Sequence, residues 1–187
     1  SLITLNFDST EKSNSPIELT WADGGIRPPH PDIIPADSDI GGPDSQNGVL
    51  MIGEKGIIST NINDSSPLTP KLYLYDGQTE FGPETEDMPE PEYGHQRKWV
   101  DACKAGFRSK EHLDLTSSFD YAGPMTETVL MGNLAIRSYM LRNEKSNGGF
   151  DYYARKKLLW DGDNMKITNI EEANQFVTRE YREGWKI

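Results

Sequence analysis

Thiol chemistry is nearly absent from this chain: Cys103 is its single cysteine in 187 residues. One thiol excludes an intrachain disulfide and any cysteine-rich zinc site. Cys103 follows Trp99, Val100 and Ala102 in a helical pattern, which predicts a small core residue. Basic residues are also few, 19 against 30 acidic ones, giving a net charge of −11 and an isoelectric point near 4.7. Binding nucleic acid in general needs a basic stripe that neutralises phosphates. The only basic clusters are short, Arg97-Lys98 and Arg155-Lys156-Lys157, so no nucleic-acid partner is expected and the acidic surface reads as a solvated one. No run of about eighteen apolar residues is present, so no transmembrane span is expected. The start of the chain lacks a leader of the charged-then-apolar kind and runs almost directly into a strand pattern, as a truncated chain does. No G-x-G-x-x-G occurs either. Gly24-Gly25, Gly41-Gly42 and Gly148-Gly149 lack its spacing and the apolar helix that must follow, so no dinucleotide site is expected in this chain.

What is present suits a globular domain. Apolar residues make up 35% of the chain, with four Trp, eight Tyr and six Phe. The length fits a single domain over residues 1–187. Leu2–Phe7 mixes alternation with β-formers, and Ile17–Trp21 alternates strictly; both predict strands. Gly48–Gly53 and Gly56–Thr60 predict a hairpin around Glu54-Lys55, and Lys71–Tyr75 a further strand. Long Pro-, Gly- and Asp-rich loops are expected at 26–47 and 76–93. The chain then turns helical. Gly94–Lys104 predicts a helix with Trp99, Val100 and Cys103 inward.

The longest helical pattern lies between Ser117 and Arg142. Met125, Val129, Gly132, Ile136 and Tyr139 fall at steps of four, three, four and three, and Leu130, Met131, Leu134 and Leu141 widen the apolar surface. The prediction is a core helix covered on most sides, with Pro124 in its first turn. A polar break follows at Asn143–Gly149, then a short edge strand at Leu158–Trp160 and a last helix capped by Asn169. Strands first and helices after argue an α+β fold, mainly an antiparallel β-sheet with helices packed on one face.

FDYAGPMTETVLMGNLAIR, LLWDGDNMKITN, EEANQF and REYREGW, preceded by LTWADGGIRPPHPD, GVLMIGEKG and HQRKWVDACKAG, together resemble the C-terminal domain of the Gfo/Idh/MocA oxidoreductase family. The likeness runs from about Ile17 to Trp185 and is nearest the bacterial-type branch with an arginine-and-tryptophan tail. It implies a dehydrogenase-like substrate and oligomerisation domain, with the Rossmann half absent from this chain. It also implies NAD or NADP as cofactor of the full-length protein, a sugar or polyol as substrate and a homo-oligomer. Exported relatives make the periplasm the preferred compartment. The family's Glu-Lys-Pro lysine is not carried over, because Glu54-Lys55 is followed by Gly56 at a hairpin. Its Asp/His pair is not found: the residues four before His30, His95 and His112 are Ile26, Pro91 and Arg108. No catalytic, cofactor-binding or metal residue is therefore assigned. Asp37-Ser38-Asp39 and Asp161-Gly162-Asp163-Asn164 lack calcium-loop spacing and read as turns.

What remains is a substrate wall, with Trp21, Asp23, Arg27, His30 and His95 as candidates. Aromatic faces stack on sugar rings, and carboxylates accept hydroxyl protons. The competing readings are ordinary ones: Trp21 in a sheet core, Asp23 in a turn, His95 at a helix start. Arg179, Tyr181, Arg182 and Trp185 read either as a closure over a neighbour or as solvated arginines around packed aromatics. Two other functions remain open, an NAD-dependent glycoside hydrolase of the same family and a non-catalytic carbohydrate-binding or interaction domain.

Overall fold

A computed structural model describes residues 1–38, 40, 48–61, 70–81 and 94–185. Its elements run β1 (Leu2–Phe7), β2 (Ile17–Ala22), β3 (Gly48–Ile52), β4 (Gly56–Asn61), β5 (Lys71–Leu74) and β6 (Thr79–Phe81), then α1 (Gly94–Ala105), α2 (Lys110–Leu113) and α3 (Phe119–Ser138). There follow β7 (Asn143–Glu144), β8 (Phe150–Asp151), β9 (Trp160–Asp161), β10 (Lys166–Ile167) and a 3-10 helix, Glu171–Phe176. The fold is α+β and the pairing antiparallel, as expected. Among the described residues the strands are divided among four small sheets, one four-stranded and three two-stranded. The residues cluster into two compact units, Ser1–Ile26 with Asp101–Ile187, and Arg27–Val100.

In the first unit β1 and β2 form a ribbon. Its register pairs Ile3 with Trp21, Leu5 with Leu19 and Phe7 with Ile17, so six apolar side chains share one face. Leu2, Thr4 and Asn6 oppose Ala22, Thr20 and Glu18 on the other. A lone two-stranded ribbon is marginal in water, and this one is braced by α3. Gly132 allows the approach: a Cβ there would already stand 3.4 Å from Ile3 Cδ1.

The opposite side of α3 meets a second core. Buried Ala154, Ile167, Ile170 and Ala173 pack with Leu134, Leu141, Tyr153, Leu158 and Trp160. Two asparagines tie this region together alongside the antiparallel pairing of β9 with β10. The Asn174 amide accepts from Ile167 N at 2.7 Å and donates to Ile167 O at 3.0 Å. Asn169 accepts from Leu159 N at 2.9 Å and donates to Lys157 O at 2.9 Å. Trp160 Nε1 donates to Glu127 Oε1 of α3 at 2.7 Å.

Several expectations are corrected here. The helix α3 begins at Phe119 behind Ser118, so Pro124 lies inside it rather than in its first turn. The stripe Met125, Val129, Ile136 and Tyr139 is largely exposed, Val129 at 68%, and only Gly132 and Ser138 of α3 are buried. The covered stripe is Glu127, Met131, Leu134 and Ser138, two residues out of phase and so on nearly the opposite face. In α1 the buried apolar side chain is Ala102; Trp99 and Val100 are exposed, as is Cys103. The expected break at Asn143–Gly149 contains the β7 strand, paired with β8. The edge strand starts at Trp160, not Leu158. The last helix is a short 3-10 turn, and Asn169 does not cap it because its amide is spent on Leu159 and Lys157.

The second unit is a meander in the order β3-β4-β5-β6 over a core of Ile34, Ile57 and Tyr73 with Ile33 and Leu50. Gly56 has no room for a side chain, since a Cβ there would come within 2.2 Å of Tyr73 O. The strand β6 falls within the loop expected at 76–93, whose residues 82–93 lie outside the described ones. The described part of the 26–47 loop has no regular element, yet it lends Ile33 and Ile34 to the core.

Candidate functional site

Of the five candidate residues, the structure brings Trp21 and Asp23 together at the end of the β1–β2 ribbon. Trp21 ends the apolar face and is 61% exposed. Asp23 continues the ladder one pair beyond the strands, its N donating to Ser1 O at 3.0 Å. The next two residues, Gly24 and Gly25, take φ of +65° and +85° and turn the chain away. Asp23 Oδ2 accepts from Trp21 Nε1 at 3.1 Å, which fixes the indole by its polar edge. Asp23 Oδ1 accepts from Ser1 Oγ at 2.8 Å and from the chain's amino group at 2.5 Å. Where Ser1 carries a free amino group, the hydrogen bond from that ammonium, then those from Ser1 Oγ and Trp21, hold the Asp23 carboxyl down at about 2. It is thus a carboxylate at any ordinary pH. Each carboxylate oxygen can accept more than one hydrogen bond. Oδ2 therefore keeps capacity for a hydroxyl lying beside the exposed ring.

Arg27, His30 and His95 belong to the second unit. His30 has Nδ1 3.2 Å from Pro31 O and Nε2 3.0 Å from Ser38 O, so it braces its own loop. Arg27 is exposed, and His95 is exposed in the first turn of α1. Glu54 and Lys55 form the β3–β4 hairpin tip, where Gly53 N donates to Gly56 O at 2.9 Å. Asp161 is a turn former: Asn164 donates its Nδ2 and its backbone N to the two carboxylate oxygens, at 2.9 and 3.1 Å, and these bonds lower the Asp161 pKa. Asp39 lies outside the described residues. Among the described residues no group of three His, Cys, Asp or Glu side chains is placed to hold a metal ion. Among them, too, no helix is long and apolar enough to cross a membrane.

The sequence reading missed an arginine–aromatic stack around Tyr152. Its members, Tyr139, Arg142, Phe150, Tyr152 and Arg155, are divided between a helix end, a hairpin and a turn, so no single period links them. Compared with known proteins, the chain matches no family model, no curated protein and no solved structure.

Proposed function

We propose that this chain is the substrate-side domain of an NAD(P)-dependent oxidoreductase of the Gfo/Idh/MocA type, acting on a hydroxyl of a sugar or polyol. Its dinucleotide-binding Rossmann half would be supplied by a separate segment. The observation that supports this reading best is the Trp21–Asp23 corner. An indole anchored through its N–H leaves an apolar face for the C–H surface of a sugar ring, and the adjoining carboxylate accepts hydroxyl protons. In a hydride-transfer enzyme the cofactor carries the redox chemistry, and the protein aligns the reacting carbon. An aromatic wall of this kind serves that alignment. The apolar face left open on the ribbon is what a domain built to pack against another body requires.

The test uses the natural polypeptide that carries this segment, assayed for reduction of NAD and NADP against a panel of sugars and polyols. Saturable reduction is expected. Trp21→Ala is expected to raise KM about tenfold, with a smaller change in kcat, because it removes binding made in ground and transition states alike. Absence of nicotinamide reduction with every combination would sink the oxidoreductase. If sugars still quenched tryptophan fluorescence in a manner dependent on Trp21, the corner would instead serve a carbohydrate-binding domain.

A further inference from the structure

We infer that the stack of Arg142 and Arg155 around Tyr152 is a binding site for a small oxyanion, a phosphate or sulfate group. The inference is independent of the reading given to Trp21. Helix α3 ends at Ser138, and the chain passes through Tyr139 and Arg142 into β7; β8 then brings Phe150 and Tyr152 back beside them. The Arg155 Cζ stands 3.5 Å from the Tyr152 ring centroid and 4.5 Å from that of Tyr139. On the same tyrosine, Arg142 Cζ lies 5.6 Å from the centroid, and it lies 4.1 Å from that of Phe150. Aromatic rings and guanidinium groups thus alternate, with both charges held against one ring.

Very little of the donor capacity of these two groups is used. Arg142 Nη1 donates to Tyr152 Oη at 3.0 Å, and Arg155 Nε makes a long 3.4 Å bond to Tyr139 O at the helix end. A guanidinium has five N–H donors and is never deprotonated in a protein. Neither arginine forms an ion pair among the described residues, although the hairpin carries Glu144 and Asp151. Two like charges are therefore held near one tyrosine ring with no ion-paired carboxylate among the described residues, the ring faces taking up part of the cost. Ring contacts and these hydrogen bonds restrain both side chains, and restrained forks favour bidentate recognition of an oxyanion. The local field agrees. Residues 142–157 hold five Lys and Arg against two carboxylates, inside a chain whose net charge is −11. Lys145, Lys156 and Lys157 are exposed and extend that field around the stack.

The test is a titration of the full chain with inorganic phosphate, at ionic strength held constant with chloride, read by NMR at the Arg142 and Arg155 Nε–H groups. Saturable shifts at both groups are expected. Arg142→Gln and Arg155→Gln should each weaken binding about tenfold, and so should Arg142→Lys and Arg155→Lys, which keep the charge and lose the fork. Lys12→Gln, in the β1–β2 turn, should leave it unchanged. Circular dichroism identifies any variant that has unfolded, and the wild-type titration stands without the variants. Parallel arms use glucose 6-phosphate and phosphatidylcholine vesicles with and without phosphatidylserine. Tighter binding of the sugar phosphate identifies a small-molecule ligand, and co-sedimentation with the anionic vesicles identifies a lipid headgroup. Shifts that never saturate, or lysine variants that bind as well as the wild type, would overturn the site and leave a diffuse basic patch.

Discussion

Asp23 shows how one side chain couples local geometry to charge. Its folded pKa of about 2 lies below the ordinary 3.8, and the first cause is the hydrogen bond from the Ser1 ammonium. A carboxyl with a depressed pKa stabilises the fold fully above its unfolded value; the contribution is lost as pH falls through the folded one. The window is therefore strongly acidic, roughly from 3.8 down to 2. Because Asp23 is exposed, the effect on global stability is small, and the informative quantity is the titration itself. In a chain whose Ser1 amino group is free, the Asp23 carboxyl carbon is expected to titrate near 2, and acetylating that group should move the midpoint back towards 3.8. A midpoint at the ordinary value with the amine free would show that the ion pair does not form in solution.

At the scale of single elements, the β3–β4 hairpin offers a controlled comparison between two glycines. Gly56 pairs with Leu74 across to β5, and a Cβ there would collide with the Tyr73 carbonyl at 2.2 Å. Gly53, three residues earlier, would place its Cβ 3.7 Å from the nearest atom, an ordinary contact. Gly56→Ala is expected to cost about 2 kcal/mol or more, since backbone must move to admit the methyl. Gly53→Ala should be neutral within about 0.5 kcal/mol. Urea denaturation of both variants checks the pair, and equal midpoints would mean that β4 and β5 are not so closely apposed. The strands of this hairpin were legible in the sequence because their signals are local: alternation, β-formers and a tight turn. So was the Trp21–Asp23 corner, which needs only a strand end and the turn after it. The face of α3 was not legible. Its two stripes have the same four-three spacing, and spacing with hydropathy favours the more apolar one, whereas the one that is covered includes Glu127 and Ser138. Glu127 is covered because Trp160, 33 residues away, supplies a hydrogen-bond donor, and no window on the helix contains that fact. The Arg142–Tyr152–Arg155 stack escaped for the same reason, since it exists only after the hairpin has closed.

The apolar surface of the first unit is the property that belongs to the molecule as a whole. Ile17, Leu19 and Trp21 stay exposed on the ribbon, and Met125, Val129 and Ile136 on α3, on either side of the contact between Gly132 and Ile3. Burying such side chains is worth about 25 cal/mol per Å², so leaving them in water forgoes stabilisation that a covering surface would recover. The net charge of −11 works against coverage by a second copy, because like charges repel. The two effects respond differently to salt. Screening weakens the repulsion and leaves apolar burial intact. Self-association of this chain is therefore expected to strengthen as salt rises, opposite to an interface held by ion pairs. Val129→Lys should reduce it, together with the binding of a hydrophobic dye. Its effect on thermal stability should be slight, since Val129 is mostly exposed. Light scattering across a salt series checks the trend. A chain that stays monomeric at high salt and binds no dye would mean that these faces are tolerated as ordinary surface, and the argument for a covering body would fall with them.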